Sequence, residues 1–199
     1  MLVLDGVVLQ LPSGGLLSPL SATLGPGVTL VCGDEGTGKS TLLRALADPS
    51  VREQVVHAGR VLVGAHSAAS DQVFLVDPAD ISDNNVSVGD YWQARASRYP
   101  AWREDVLEAL VHSLGLAEHV HKSLYMLSTG SRRKVMLAAS IASTAPLVLW
   151  DQPFASLDLA STKVLKAVLN QAVLDQRCYV LADYTAPEGV DLVLTLDLG

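Results

Sequence analysis

The segment Gly33-Asp34-Glu35-Gly36-Thr37-Gly38-Lys39-Ser40-Thr41 constrains the fold more than any other stretch of this chain. An apolar run, Val28 to Cys32, leads into it, and a helix that begins near Lys39 carries it on, reading Ser-Thr-Leu-Leu-Arg-Ala-Leu-Ala. Strand, glycine-rich turn and helix in that order form a P-loop. Its glycines let the backbone curl so that consecutive N–H groups face phosphate oxygens, and the helix N-terminus adds its positive dipole end. Lys39 is expected to reach the β- and γ-phosphates, and Ser40 to ligate Mg²⁺. A chain built this way is expected to hold a nucleoside triphosphate, with ATP and Mg²⁺ as its cofactors.

The remaining patterning is that of an α/β protein with a mostly parallel sheet flanked by helices and an antiparallel β part at its start. Residues 1–77 are rich in short apolar runs, at 2–4, 7–11, 28–32, 60–64 and 73–76, broken by Pro12-Ser13-Gly14-Gly15 and Gly25-Pro26-Gly27. Residues 78–127 change character. Val106, Leu107, Leu110, Val111 and Leu114 fall on one helical face, which Gly115 ends. From 128 on, helices expected at 129–143 and 158–174 alternate with strands at 147–151, 178–182 and 192–196. In such sheets ligands sit at the carboxyl ends of the strands.

At 199 residues, 49% of them hydrophobic, the chain is expected to bury one core as a single domain. A net charge of −7 argues against nucleic acid as a partner. No apolar run reaches the roughly 18 residues of a membrane span, and the N-terminal run reads as strand rather than signal peptide. The expected location is cytoplasmic, with any peripheral contact to the inner face of a membrane made through a partner. Cys32 and Cys178 read as buried, reduced thiols. His112, His119 and His121 lack a carboxylate or thiol at ligand spacing and read as solvated. Tyr91, Trp92, Tyr99 and Trp102 read as packing between helices, the alternative being a groove for a partner.

Leu147-Val148-Leu149-Trp150-Asp151 is a buried strand that delivers one carboxylate at its carboxyl end, where a P-loop protein holds the Mg²⁺ shell. Leu127-Ser128-Thr129-Gly130-Ser131 precedes Asp151, and Ser156-Leu157-Asp158 follows it. In order and spacing these elements resemble the nucleotide-binding subunits of ABC transporters, over nearly the whole chain. Within that family they look most like the small subunit of the bacterial haem exporter. The resemblance implies a helical subdomain at 78–127 and a signature loop at Ser128 and Gly130. It also implies a head-to-tail homodimer, or a pair with a second nucleotide-binding subunit, in which that loop meets the partner's γ-phosphate. A multi-span membrane subunit is implied as well.

Departures from the family pattern surround the γ-phosphate. Gln152 stands where a glutamate polarises the attacking water, and an amide cannot take a proton. Tyr184 stands where a histidine contacts the γ-phosphate; a phenol donates a hydrogen bond but does not change charge near neutral pH. Asp77-Pro78 replaces the Q-loop glutamine, and Gly15 to Ser18 offer no aromatic to stack on adenine. The pattern reads as retained ATP binding with slow or partner-dependent hydrolysis. The alternative is a non-hydrolysing regulatory or sensor module.

Overall fold

Period-two apolar patterning builds two sheets, and their arrangement sets where the glycine-rich loop lies. The computed structural model describes residues 2–11, 14–63 and 71–199. The expected turn residues Pro12 and Ser13, and Gly64 of the fourth apolar run, lie outside the described residues. Strands β1 (Leu2–Leu9), β2 (Leu20–Leu24) and β4 (Val56–Val63) form an antiparallel sheet in the order β2-β1-β4. Strands β3 (Gly27–Cys32), β5 (Val73–Val76), β6 (Leu147–Asp151), β7 (Cys178–Ala182) and β8 (Leu192–Asp197) form a parallel sheet in the order β5-β6-β7-β3-β8.

The two runs expected at 2–4 and 7–11 are one strand with a bulge. Register shifts after Leu4, where Gly6 takes φ +59° and donates its N–H to Ser21 Oγ at 2.9 Å. Gly59 faces this bulge across β4 with φ +82°, and a Cβ there would run into the Gly6 carbonyl. The expectation of a strand at 60–64 therefore started too late, because Gly59 sits inside a strand as half of a bulge pair.

Helix α1 (Lys39–Ala47) leaves the glycine-rich loop, and α2 (Pro49–Val55) follows it, N-capped by Asp48, whose side chain accepts from Ser50 N at 2.7 Å. Between residues 78 and 127 lie α3 (Val88–Arg98), α4 (Glu104–Ser113) and two single 3₁₀ turns. Helix α5 (Thr129–Ala142) precedes β6, and α6 (Leu159–Asn170) precedes β7. The helix expected to reach 174 stops at Asn170: Gln176 adopts φ +55° and Arg177 N bonds back to Ala172 O, closing the turn into β7.

Alternate residues of the parallel sheet feed two cores. Val28, Leu30, Val148, Trp150, Tyr179 and Leu181 face the helices, together with Tyr91, Trp92 and Tyr99. Val31, Leu147, Leu149, Val180 and Ala182 face α1 and the antiparallel sheet. Tyr91, Trp92 and Tyr99 thus pack the core of the helical part, as expected, while Trp102 is only partly buried against it. Trp92 Nε1 donates to Val135 O at 3.1 Å, and Tyr99 OH to Val73 O at 2.8 Å. Cys178 is buried and its thiol is pushed up to about 11 by that burial; Cys32, expected to be buried, is half-buried at the loop entrance.

Trp150 is fully buried, stands edge-on to Tyr179 at 5.1 Å and donates Nε1 to Ser140 Oγ at 2.8 Å. Trp150→Ala leaves a cavity between β6 and α5 and removes one donor from that hydroxyl, which still donates to Leu137 O at 2.7 Å. The expected loss is about 3–5 kcal/mol, a fall in Tm on the order of 10 °C for a chain of this size. A thermal melt that moves by less than about 3 °C would show that the site repacks.

Candidate functional site

At the carboxyl end of β3 the chain enters its glycine-rich loop through residues that only glycine tolerates. Gly33, Gly36 and Gly38 take φ +144°, +80° and +98°. Gly38 stands directly before α1 and no side chain caps that helix, which leaves its first-turn N–H groups facing the loop. Asp34, Glu35 and Gly36 are exposed, Thr37, Ser40 and Thr41 are half-buried, and Gly38 and Lys39 are buried. Thr37 Oγ1 donates to Asp34 O at 3.0 Å, bracing the loop.

Lys39 is 6% exposed, and its ammonium is held over the loop. Nζ donates to Gly33 O at 2.7 Å and Asp34 O at 2.6 Å, and lies 4.6 Å from the centroid of the Tyr184 ring. The expected donor to a γ-phosphate, Tyr184, therefore presents its face to the lysine. It is brought there by the turn after β7, where Asp183 N donates to Val31 O at 3.1 Å.

Asp151 ends β6 within reach of the same loop. It is 7% exposed, and its Oδ1 has no partner among the described residues. Burial is the main cause that raises its pKa; the Ser40 hydroxyl, Arg44 and Lys39 act against it, while Asp77 adds to it. An orphaned, desolvated carboxylate oxygen beside a hydroxyl suits a divalent cation, and Ser40 with Asp151 forms the donor set that a Mg²⁺ arriving with phosphates needs. Gln152 follows with φ +47°, its N–H donating to Ala182 O at 2.8 Å. Lys39, Ser40, Asp151, Gln152 and Tyr184 thus converge at the carboxyl ends of β3, β6 and β7.

Ser128 and Gly130 do not join them. Ser128 is exposed and N-caps α5: its Oγ accepts from Ser131 N at 3.1 Å and donates to Ser131 Oγ at 2.9 Å. Gly130 is buried because the Ser156 carbonyl packs where a Cβ would stand. Two further residues of α5 hold the same segment. Lys134 Nζ pairs with Asp158 Oδ2 at 2.5 Å, and this pairing holds the Asp158 carboxyl well below the usual carboxylate range. Arg133 donates to Ala155 O; it is 6% exposed, and burial lowers its pKa.

Sequence reasoning missed the buried Arg133, because the run Arg132-Arg133-Lys134 looks like a solvated helix face. It also missed Arg44. This α1 residue donates Nε to Asp77 Oδ2 at 2.7 Å, so the position read as a lost glutamine carries an ion pair at the edge of the site. Nothing in the α1 sequence marks that residue apart from its neighbours. Gly15 to Ser18 supply Leu17 to the core and no ring to the site.

Comparison with known proteins agrees with this geometry. The sequence profile described as ABC transporter matches residues 17–155. A phosphonates import ATP-binding protein from Paraburkholderia xenovorans is 27% identical over 83% of this chain and 62% of its own length. A cytochrome c biogenesis ATP-binding export protein from Cupriavidus pinatubonensis is 31% identical over 85% of this chain and 76% of its own. The chain thus spans less than two thirds of the first of these relatives. An ABC transporter ATP-binding protein from Pyrococcus furiosus superposes with a TM-score of 0.78 at 21% identity, covering 99% of this chain and 96% of that one.

Proposed function

The chain belongs to the ABC transporter family, and from that premise we propose that it is an ATP-binding subunit of such a transporter, one that holds Mg·ATP firmly and hydrolyses it slowly. One observation carries the reading. The buried ammonium of Lys39 sits in a left-handed glycine cradle beside the unpartnered, buried Oδ1 of Asp151. A lysine over backbone carbonyls is poised to exchange them for phosphate oxygens, which are better acceptors for a charged donor. Mg²⁺, when bound, would supply positive charge against the phosphates. Ser40 and Asp151 would hold it.

The groups around the γ-phosphate favour binding over turnover. Gln152 can orient a water through its amide but cannot accept its proton. Tyr184 covers Lys39 with an aromatic face, where a titrating imidazole would add a second way to move charge. Ser128, exposed at the N-terminus of α5, would meet the γ-phosphate of a second subunit in a head-to-tail pair. Residues 78–127 form a helical subdomain that would face a multi-span membrane subunit. Among the described residues no helix is long and apolar enough to cross a membrane, so attachment to the inner face would come through that partner. The alternative, a regulatory or sensor module that binds ATP without turnover and is not coupled to transport, differs from this reading in rate and in having no membrane subunit to drive.

Gln152→Glu tests it. The substitution restores a base next to Asp151, at a position whose backbone already holds φ +47°. Turnover of saturating Mg·ATP is expected to rise at least about tenfold, the low side of what general-base catalysis supplies. An unchanged kcat with ATP still bound would shift the blame to the other altered groups.

A further inference from the structure

Five buried polar side-chain atoms have no hydrogen-bond partner among the described residues. Asp151 Oδ1 belongs to the site around Lys39, and Thr29 Oγ1 lies within β3. The other three, Asn84 Oδ1, Arg132 Nε and Arg133 Nε, belong to residues that line one cavity of about 190 Å³. Pro78 after β5, Tyr125 and Thr129 face it as well. Ser128, Gly130 and the glycine-rich loop lie outside that lining.

Neither arginine of the cavity has a carboxylate to bond. Arg132 donates Nη2 to Asp80 O and Arg133 donates Nη1 to Ala155 O, both backbone carbonyls. Neither forms an ion pair among the described residues, and Asp151 and Asp183 act on Arg133 only through space. Arg133 is 6% exposed, and an arginine so deeply buried is ordinarily paired. Arg177 shows the satisfied case in the same molecule. Its Nε, Nη1 and Nη2 donate to the carbonyls of Ala145, Ile141 and Ser140 at 3.0, 3.0 and 2.9 Å.

Open donors on two adjacent cations repel a metal ion and select an acceptor that carries negative charge. Guanidinium forks fit the oxygens of carboxylate and phosphate. Asn84 can join them, because turning its amide over presents NH₂ donors in place of Oδ1. The walls are fixed before any ligand arrives. Tyr125 N donates to Asn84 O at 2.9 Å, and Arg95 pairs with Asp83 Oδ2 at 2.5 Å. The volume is several times the share of one water in the liquid, about 30 Å³, so it admits a small anion.

We propose that this cavity, between the turn after β5 and the first turns of α5, binds a small free oxyanion of the phosphate or carboxylate class through Arg132 and Arg133. The anion supplies the charged acceptor that both side chains lack and braces α5 against that turn.

The test is NMR of the arginine Nε–H groups in the full chain, titrated with inorganic phosphate and, separately, with succinate at constant ionic strength. The Arg132 and Arg133 signals are expected to shift and saturate with at least one of the two anions, while the Arg177 signal stays in place. The anion that saturates at the lower concentration names the class. Arg132→Gln removes the more exposed of the two arginines and identifies its signal. It is expected to weaken the anion affinity read at Arg133 at least about tenfold, the low end of what a charge-assisted hydrogen bond supplies. Lys39→Ala is expected to leave the shifts intact; shifts that vanish in that variant would place the anion in the glycine-rich loop and overturn the proposal. Shifts that stay linear up to about 10 mM of both anions, or a saturating shift undiminished in Arg132→Gln, would overturn it too.

Discussion

Lys39→Ala is expected to abolish measurable binding of Mg·ATP. The ammonium is buried to 6% exposure, so its charge acts in a medium of low dielectric, where its attraction for a polyphosphate is far stronger than in water. Its removal also has a second consequence. Nζ engages the carbonyls of Gly33 and Asp34 at 2.7 and 2.6 Å, and without it those oxygens face the phosphates unshielded. Loss of attraction and gain of repulsion act in the same direction. A fall of at least about 100-fold corresponds to about 2.7 kcal/mol, within reach of two charge-assisted hydrogen bonds at about 1.5–3 kcal/mol each. Among the described residues Lys39 engages the loop carbonyls of Gly33 and Asp34 and the exposed ring of Tyr184, so the fold should survive the substitution. Equal affinities for wild type and variant by calorimetry would sink the nucleotide assignment.

The cradle was the most legible part of the molecule because its chemistry is local. Glycines at positive φ, a lysine and a hydroxyl must occur at fixed spacing, and spacing is what a sequence displays. Strand β6 was equally plain, since five consecutive residues buried on both faces leave an unbroken apolar run ending in Asp151. What stayed hidden depends on long-range partners. Strand β2, Leu-Ser-Ala-Thr-Leu, is five residues long and buries only Leu24, and it takes its place by pairing with β1. Helix α2 buries no residue, so it has no apolar face to read. Arg177 looks like an ordinary surface arginine after a turn. In the fold it is 9% exposed and donates to the carbonyls of Ser140, Ile141 and Ala145, where α5 ends. No local pattern distinguishes a guanidinium that caps a distant helix from one in solvent. The pairing of Arg44 with Asp77, 33 positions apart, was hidden for the same reason.

Assembly carries the second large effect. With binding retained and hydrolysis weak, Mg·ATP is expected to hold a head-to-tail dimer closed, because loss of the γ-phosphate is what would open it. A ligand that binds only the paired state shifts association by mass action. Light scattering should therefore show monomer without nucleotide, dimer with Mg·ATP and monomer again with Mg·ADP. Ser128→Arg should keep the chain monomeric in Mg·ATP while leaving ATP affinity intact. Ser128 is exposed on its own chain, so an arginine there meets solvent in the monomer and a neighbour's phosphate site in the dimer. The cost within the chain is one helix cap, about 1 kcal/mol, too little to unfold it. Two features set how tightly the pair closes. The Ser128 hydroxyl spends its proton on Ser131 Oγ at 2.9 Å and must turn away to serve a phosphate. Gly130 is backed by the Ser156 carbonyl, at a residue with φ +63°, so α5 and the segment after β6 must approach a partner together. Both features lower affinity without removing the shared site, which makes protein concentration the variable to scan. A chain that stays monomeric at high concentration in saturating Mg·ATP would leave a different nucleotide-binding subunit as the one able to complete the site.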